Sequence, residues 1–133
     1  LYFIEMGPRN GGNMIPDLLY KATGDDLIAA TIESALGIEY KFNNNEVEDK
    51  FIATHVLHTN ENGILKDIEF DNEIEDKIIK KIIYKKQGDT VEYFDGSNKT
   101  IGIIFWEFDS MEEMLDKMDN AEKWIKIIVD SLV

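Results

Sequence analysis

The sequence predicts an α+β fold in which an antiparallel-rich β-sheet packs with a few helices. Short runs of β-branched and aromatic residues recur through the second half of the chain, and three segments carry apolar residues at helical spacing. The 133 residues are 44% hydrophobic and 11% aromatic, a composition typical of one globular domain with its own core.

The chain is predicted to begin with a strand, a loop and a short helix. Residues 1–6 are apolar and suit a buried strand, whereas residues 7–13 contain three glycines and a proline and therefore predict a loop. Pro16 is tolerated in the first turn of the helix, which Gly24 ends.

A second helix is predicted to follow directly. Thr23 or Asp25 can cap its N-terminus, and Gly37 supplies its stop. Its apolar face is predicted from the helical spacing of Ile28, Ile32, Ala35 and Leu36. The polar residues 38–50 then predict a loop, and we place an internal boundary in it, between residues 1–42 and residues 43–133.

The second part of the chain is predicted to be rich in strands. Residues 51–59 and 64–70 should pair antiparallel through a turn at Asn62-Gly63, and residues 78–86 and 90–94 should form a second hairpin. Residues 101–108 are apolar at nearly every position, which predicts a central strand covered on both faces.

A helix and a last strand are predicted to close the chain. Ser110 opens a capping box, and the apolar face that follows assigns Met111, Met114 and Met118 to the core. Residues 124–129 alternate apolar and charged side chains, which favours a strand.

The charge and composition exclude several classes of partner. A net charge of -13 repels phosphate backbones and anionic lipid, so nucleic acid and membrane surfaces are poor partners. The absence of cysteine fits a reducing compartment, and we expect a cytoplasmic protein. The basic residues cluster once, at Lys80, Lys81, Lys85 and Lys86. We favour a strand edge that lysines protect over a cationic binding patch.

Two histidines are predicted not to form a metal site. His55 and His58 lie three residues apart on a predicted strand, which places their side chains on opposite faces. We therefore interpret them as structural.

One motif carries chemistry, and it consists of the residues Glu5-Met6-Gly7-Pro8-Arg9-Asn10-Gly11-Gly12. This segment resembles the closing catalytic motif of the ATP-grasp ligases, in which a strand ends in a glutamate and proline and arginine follow. The resemblance continues through the helical stretch to Gly37, as in the carbamoyl phosphate synthase-like, biotin carboxylase-like and amino-acid ligase members.

The resemblance implies roles for several residues of the motif and for Asn13 directly after it. Glu5 would bind Mg²⁺ that holds ATP, and Arg9 would contact a phosphate or the acyl-phosphate intermediate as the catalytic cation. Gly11 and Gly12 would let backbone N–H groups approach the nucleotide. The family usually has a metal-binding asparagine where this chain has Gly7. Either Asn10 or Asn13 replaces that ligand from a different direction, or the parent binds the metal more weakly, and the sequence does not choose between these.

The resemblance also implies an organisation. Residues 1–42 would end an ATP-grasp catalytic domain, and residues 43–133 would form its β-rich C-terminal extension. We expect Leu1 to lie inside a longer chain whose upstream ATP-grasp lobe supplies the rest of the site, so these 133 residues alone should be inactive. The parent would join a small carboxylate to an amine.

Two further expectations concern partners. Apolar surface that an upstream lobe normally covers would make a homodimer possible. The alternative function is a non-catalytic protein-interaction domain, in which the glycine-rich segment only makes a turn.

Overall fold

The computed structural model describes residues 7, 9–43 and 50–131. The chain divides into two compact units, residues 1–49 and residues 50–133. The strand predicted over residues 1–6 lies outside the described residues. The described part of the first unit is helical, and the second unit contains both sheets of the described chain.

Two helices make up the described secondary structure of the first unit. Helix α1 spans Ile15–Thr23, with a proline in its first turn and Gly24 in the left-handed region at its end, as predicted. Helix α2 spans Leu27–Ala35. Its cap is Asp26, whose Oδ1 accepts hydrogen bonds from the backbone N–H groups of Ile28 and Ala29 at 2.9 Å.

The predicted caps of α2 were therefore wrong, because both side chains are used in the turn before it. Thr23 Oγ1 accepts a hydrogen bond from the backbone N–H of Asp25 at 3.2 Å. The Asp25 carboxylate accepts one from the backbone N–H of Asn43 at 2.7 Å. The pair Asp25 and Asp26 thus orders the turn between the helices and the segment that follows them.

The apolar face predicted for α2 is exposed. Ile28, Ile32 and Leu36 are 50%, 56% and 70% exposed. Ile38 and Phe42, which follow the helix, are also exposed. The first unit therefore carries apolar surface that none of the described residues covers.

Six strands of the second unit form two three-stranded antiparallel sheets, in the orders β1-β5-β3 and β4-β2-β6. The strands are β1 (Phe51–Leu57), β2 (Gly63–Phe70), β3 (Ile78–Ile83), β4 (Thr90–Val91), β5 (Gly102–Phe108) and β6 (Ile125–Ser131). Three helices connect them: α3 (Asn72–Glu75), α4 (Met111–Asp119) and α5 (Ala121–Trp124).

Both predicted hairpins were wrong, although the strands exist. β1 and β2 lie in different sheets, and so do β3 and β4. The reason is that β5 is the central strand of its sheet and pairs through its two edges with β1 and β3. Gly63 does not have the positive φ of a hairpin turn. Instead it permits close approach to β6, because a Cβ atom there would overlap the carbonyl oxygen of Asp130.

The core of the second unit centres on β5, as predicted. Ile104, Phe105 and Trp106 are fully buried, and Ile103 is 2% exposed. Burial of a run of large apolar side chains is the main source of stability in a domain of this size. Residues of both sheets and of the helices join Trp106 in one cluster: Leu57, Leu65, Ile74, Val91, Ala121 and Ile125.

Helix α4 begins at the predicted cap. Ser110 Oγ accepts a hydrogen bond from the backbone N–H of Glu113 at 3.1 Å. Met114 and Met118 pack against the core cluster. Met111 is 50% exposed, so its assignment to the core was wrong. It stands in the first turn of the helix, where its side chain faces solvent.

The lysine cluster lies on the edge strand β3 and directly after it, as the sequence predicted. The ammonium of Lys81 lies 4.2 Å from the ring centre of Phe70 and 3.4 Å from the Glu75 carboxylate. Lys85 donates to the Thr90 carbonyl at 3.1 Å. These contacts connect the lysine-bearing edge strand with α3 and with strands β2 and β4 of the other sheet. Among the helices of the described residues, none combines the length and the apolar character that a membrane span requires.

Candidate functional site

The glycine-rich segment lies directly before α1. Arg9, Asn10, Gly11 and Gly12 are described, whereas the predicted metal ligand Glu5 lies outside the described residues. The placement of Glu5 relative to the other four therefore stays a prediction.

Arg9 presents its guanidinium to solvent. It is the only arginine in the sequence. Its side chain is exposed, and Nη1 donates a 3.3 Å hydrogen bond to the carbonyl oxygen of Asn10. A guanidinium has five N–H donors, so most of them are open to an anionic ligand.

Asn10 connects the segment to α2. Its side-chain Nδ2 donates to Thr31 Oγ1 at 3.2 Å and to the Leu27 carbonyl at 3.4 Å. The amide nitrogen is thus used to hold the loop. The Oδ1 atom accepts no hydrogen bond from the described residues, and an amide oxygen is the kind of ligand that Mg²⁺ prefers.

The two glycines differ in the room around them. A Cβ atom at Gly11 would lie 3.3 Å from the side chain of Ile15, whereas a Cβ atom at Gly12 would meet nothing within 4 Å. The Gly12 carbonyl accepts a hydrogen bond from the backbone N–H of Ile15 at 3.1 Å. Close packing thus explains Gly11, while packing within the described chain does not explain Gly12.

The turn between the glycines and α1 is strained. Asn13 and Met14 have φ angles of 51° and 62°, in the left-handed region that non-glycine residues seldom adopt. Met14 is the N-cap of α1 and provides no side-chain hydrogen bond to it. The first N–H groups of the helix are not open, because that of Ile15 donates to the Gly12 carbonyl and Pro16 has none. Backbone strain of this kind is concentrated at functional sites.

A cavity of about 570 Å³ adjoins Asn10. One wall is formed by Leu27, Ala30 and Thr31 of α2, and another part of the lining, the aromatic wall, is formed by Tyr40 and Phe42. The two aromatic rings meet edge to face with centroids 4.9 Å apart. The Tyr40 hydroxyl accepts a hydrogen bond from the backbone N–H of Asp26 at 2.8 Å, which fixes it at the start of the helix.

Sequence reasoning did not find this aromatic wall. Residues 38–50 were assigned to a loop because of their polarity, and the alternation of Ile38, Tyr40 and Phe42 was the signal that could have identified it. In the structure all three line the cavity.

The prediction that the two histidines point to opposite faces was wrong. β1 ends at Leu57, so the alternation of a strand does not extend to His58. The two ring centroids are 6.4 Å apart, and both rings line one cavity of the second unit. Among the described residues, no group of three or more histidines and carboxylates could hold a metal ion.

Comparison with solved structures identifies the fold. An L-amino acid ligase from Bacillus licheniformis matches 98% of this chain with a TM-score of 0.74 and 17% identity. A phosphoribosylglycinamide synthetase from Anaerococcus prevotii matches 89% with a TM-score of 0.63 and 24% identity. Both are ATP-grasp ligases. The chain has the fold of part of an ATP-grasp ligase.

The ATP-grasp resemblance drawn from the motif is thus confirmed at the level of the fold. The chain spans 33% of the length of the L-amino acid ligase and 31% of that of the synthetase, about a third of each. No protein-family model and no curated protein matches the sequence. The roles of individual residues in the ATP-grasp motif stay predictions.

Proposed function

We propose that the chain is part of an ATP-dependent ligase that joins a small carboxylate to an amine. The carboxylate oxygen attacks the γ-phosphorus of ATP, which forms an acyl phosphate and releases ADP. The amine then attacks the acyl carbon and releases phosphate. The observation that supports this proposal is the ATP-grasp fold over 98% of the chain, in a sequence that carries the Glu5 to Gly12 motif.

Arg9 is the cation that acts on the phosphoryl group. Its exposed guanidinium can make two parallel hydrogen bonds to phosphate oxygens and offset the charge that repels the incoming carboxylate. Because Gly12 has no side chain and the space that a Cβ atom would occupy is free of described neighbours, a phosphate can approach its backbone closely.

Glu5 and Asn10 are the candidate ligands for Mg²⁺. The Oδ1 atom of Asn10 fits this role, because the Nδ2 atom is already held by Thr31 and Leu27. Mg²⁺ in nucleotide sites is usually bound by one or two protein oxygens with phosphate oxygens and water. The bound ion would neutralise charge on the triphosphate.

Another lobe of a longer chain is the proposed partner of the first unit. The exposed residues Ile28, Ile32 and Leu36 give that lobe an apolar surface to cover, and each solved relative is about three times as long as this chain. The same surface is the observation that favours the alternative, a non-catalytic interaction domain, in which a different protein covers it.

The proposal is tested by changing Arg9 in the longer natural protein. Carboxylate-dependent ADP release should fall about a hundredfold or more in Arg9→Ala, and Arg9→Lys should recover only part of it. Hydroxylamine should trap the acyl phosphate as a hydroxamate in the unchanged protein. Lys41→Ala, which removes an exposed cation from the same unit, is the control and should keep full activity.

The interaction-domain alternative makes a different prediction. It requires that carboxylate-dependent ADP release be undetectable in the longer protein, or unaffected in Arg9→Ala. Calorimetry of the 133-residue chain alone should show no tight binding of MgATP, because the remaining nucleotide contacts are proposed to come from the other lobe. Tight binding by this chain alone would contradict that division of the site.

A further inference from the structure

A second cavity lies wholly within the second unit and has a volume of about 590 Å³. It is bounded by the end of β1, the segment that follows it, the α4 and α5 helices and the start of β6. This volume is in the range of sites that enclose a small organic molecule. The unit carries none of the motif residues of the proposed ligase site.

The inner wall of this cavity is apolar and belongs to the core. Leu57, Ala121 and Ile125 are 1%, 6% and 7% exposed and are members of the core cluster. Met118 and Ile127 pack against that cluster and also line the cavity. Side chains fixed by a packed core give a preformed surface for the apolar body of a ligand.

The two histidines provide hydrogen-bond acceptors. His58 is held between the Phe94 ring, at a centroid distance of 4.7 Å, and the Val56 carbonyl, which accepts from Nδ1 at 2.9 Å. This hydrogen bond leaves Nε2 as the acceptor of the neutral ring. His55 packs on Trp106 at 5.6 Å, and its ring nitrogens make no hydrogen bond to the described residues. Burial lowers the pKa of His55, which keeps its ring neutral.

The charge of the lining is negative. Glu61 and Glu122 line the cavity, and neither lysine nor arginine does so among the described residues. The Glu61 carboxylate accepts a hydrogen bond from Ser131 Oγ at 3.0 Å, which fixes its position. Two carboxylates without a cation repel an anionic ligand and attract a cationic one.

We propose that this cavity binds a small amphipathic cation, a protonated primary amine on a short aromatic or branched apolar body. The ammonium group donates to the histidine nitrogens and lies near Glu61 and Glu122. The apolar body contacts Met118 and Ile127, the half-buried apolar residues of the lining. This proposal does not depend on the ligase reaction.

The test uses the 133-residue chain and three probes that share a phenyl ring and differ in charge. Phenethylamine is the cation, 2-phenylethanol the neutral analogue and 3-phenylpropionate the anion. Methyl NMR spectra should show saturable shifts at Leu57 and Ile125 with phenethylamine, weaker ones with the alcohol and none with the anion. Glu122→Gln should weaken phenethylamine binding about two- to fivefold.

Two further variants separate this site from a general effect of charge. Ala121→Leu fills the cavity and should abolish the shifts, while Glu112→Gln removes an exposed carboxylate elsewhere on α4 and should leave them unchanged. The proposal is wrong if phenethylamine gives no saturable shift. It is also wrong if the anion binds equally well, or if Glu122→Gln and Glu112→Gln have the same effect.

Discussion

The Nδ2 atom of Asn10 lies 3.2 Å from Oγ1 of Thr31, and this contact fixes the glycine-rich loop to α2. Thr31 Oγ1 donates in turn to the Leu27 carbonyl at 2.7 Å, so its lone pairs are directed at the asparagine amide. A residue of α2 thereby orients a candidate metal ligand that is 21 positions away in sequence. Contacts of this kind commonly set the affinity of metal sites.

Thr31→Val should therefore weaken Mg²⁺ binding while the fold is kept. The substitution conserves shape and removes only the hydroxyl, so the loss of an exposed hydrogen bond should lower the free energy of unfolding by about 0.5 to 1 kcal/mol. In the longer protein, the Mg²⁺ concentration for half-maximal ligase activity should rise about tenfold. Ser34→Ala, on the same cavity wall, is the control and should change neither quantity. An unchanged Mg²⁺ requirement in Thr31→Val would show that Asn10 is not a ligand.

Gly12→Ala should separate folding from function. A Cβ atom at this position meets no described neighbour, and Gly12 does not have a positive φ, so the thermal unfolding of the chain should be unchanged. In the longer protein the methyl group would stand where a phosphate is proposed to lie, and kcat/KM for ATP should fall. Full activity in Gly12→Ala would mean that the nucleotide does not approach this backbone.

The same reasoning makes Gly102→Ala a test of the second unit. A Cβ atom at Gly102 would lie 2.7 Å from the backbone carbonyl of Ile82, in the pairing of β3 with β5. Because a strand cannot yield as a side chain does, the substitution should lower the free energy of unfolding by about 1 to 3 kcal/mol. Urea unfolding can be followed by the fluorescence of Trp106 and Trp124, which both belong to this unit.

The control for Gly102 is Gly96→Ala. A Cβ atom at Gly96 would meet only the end of the flexible Asn98 side chain, so the urea midpoint should change little. If the two alanine variants unfolded at the same urea concentration, close approach of β3 and β5 would not be what requires glycine at position 102.

The elements of this fold could be predicted because each carries a local signal. Pro16 and Gly24 mark the ends of α1, and Ser110 marks the start of α4. β5 was identified as central because the side chains that point to either face of the strand are apolar, as a strand covered on both faces requires. Such signals determine the structure only of residues that are near them in sequence.

Strand pairing could not be predicted in this way. The Asn62-Gly63 dipeptide suits a hairpin turn, and the choice against it depends on Asp130 of β6, which is far away in sequence. Likewise, β3 pairs with β5 rather than with β4, although β4 is much nearer in sequence. The aromatic wall at Tyr40 and Phe42 was missed for a different reason, since the alternation of Ile38, Tyr40 and Phe42 is a local signal within a segment that is otherwise polar.

His55 should make the stability of the second unit depend on pH. Burial is the main cause that lowers its pKa below the ordinary value of 6.5, nearby His58 lowers it further, and Glu122 opposes both. At pH values between 6.5 and the lower pKa that His55 has in the folded chain, the unfolded chain binds more protons than the folded chain. The free energy of unfolding must therefore decrease as the pH falls through this range. Above the range His55 is neutral in both states, and none of this stability is lost.

NMR titration of the His55 ring from about pH 8 to about pH 5 should place its pKa below 6.5. Glu122→Gln should lower that pKa further, because it removes the opposing charge. His58→Phe keeps a ring against Phe94 and should raise the His55 pKa towards 6.5, because it removes a neighbouring positive charge. In His55→Phe, which retains an aromatic ring against Trp106, the melting temperature should decrease less on acidification than in the unchanged chain. A His55 that titrates at or above 6.5, or an identical acid dependence in His55→Phe, would contradict this account.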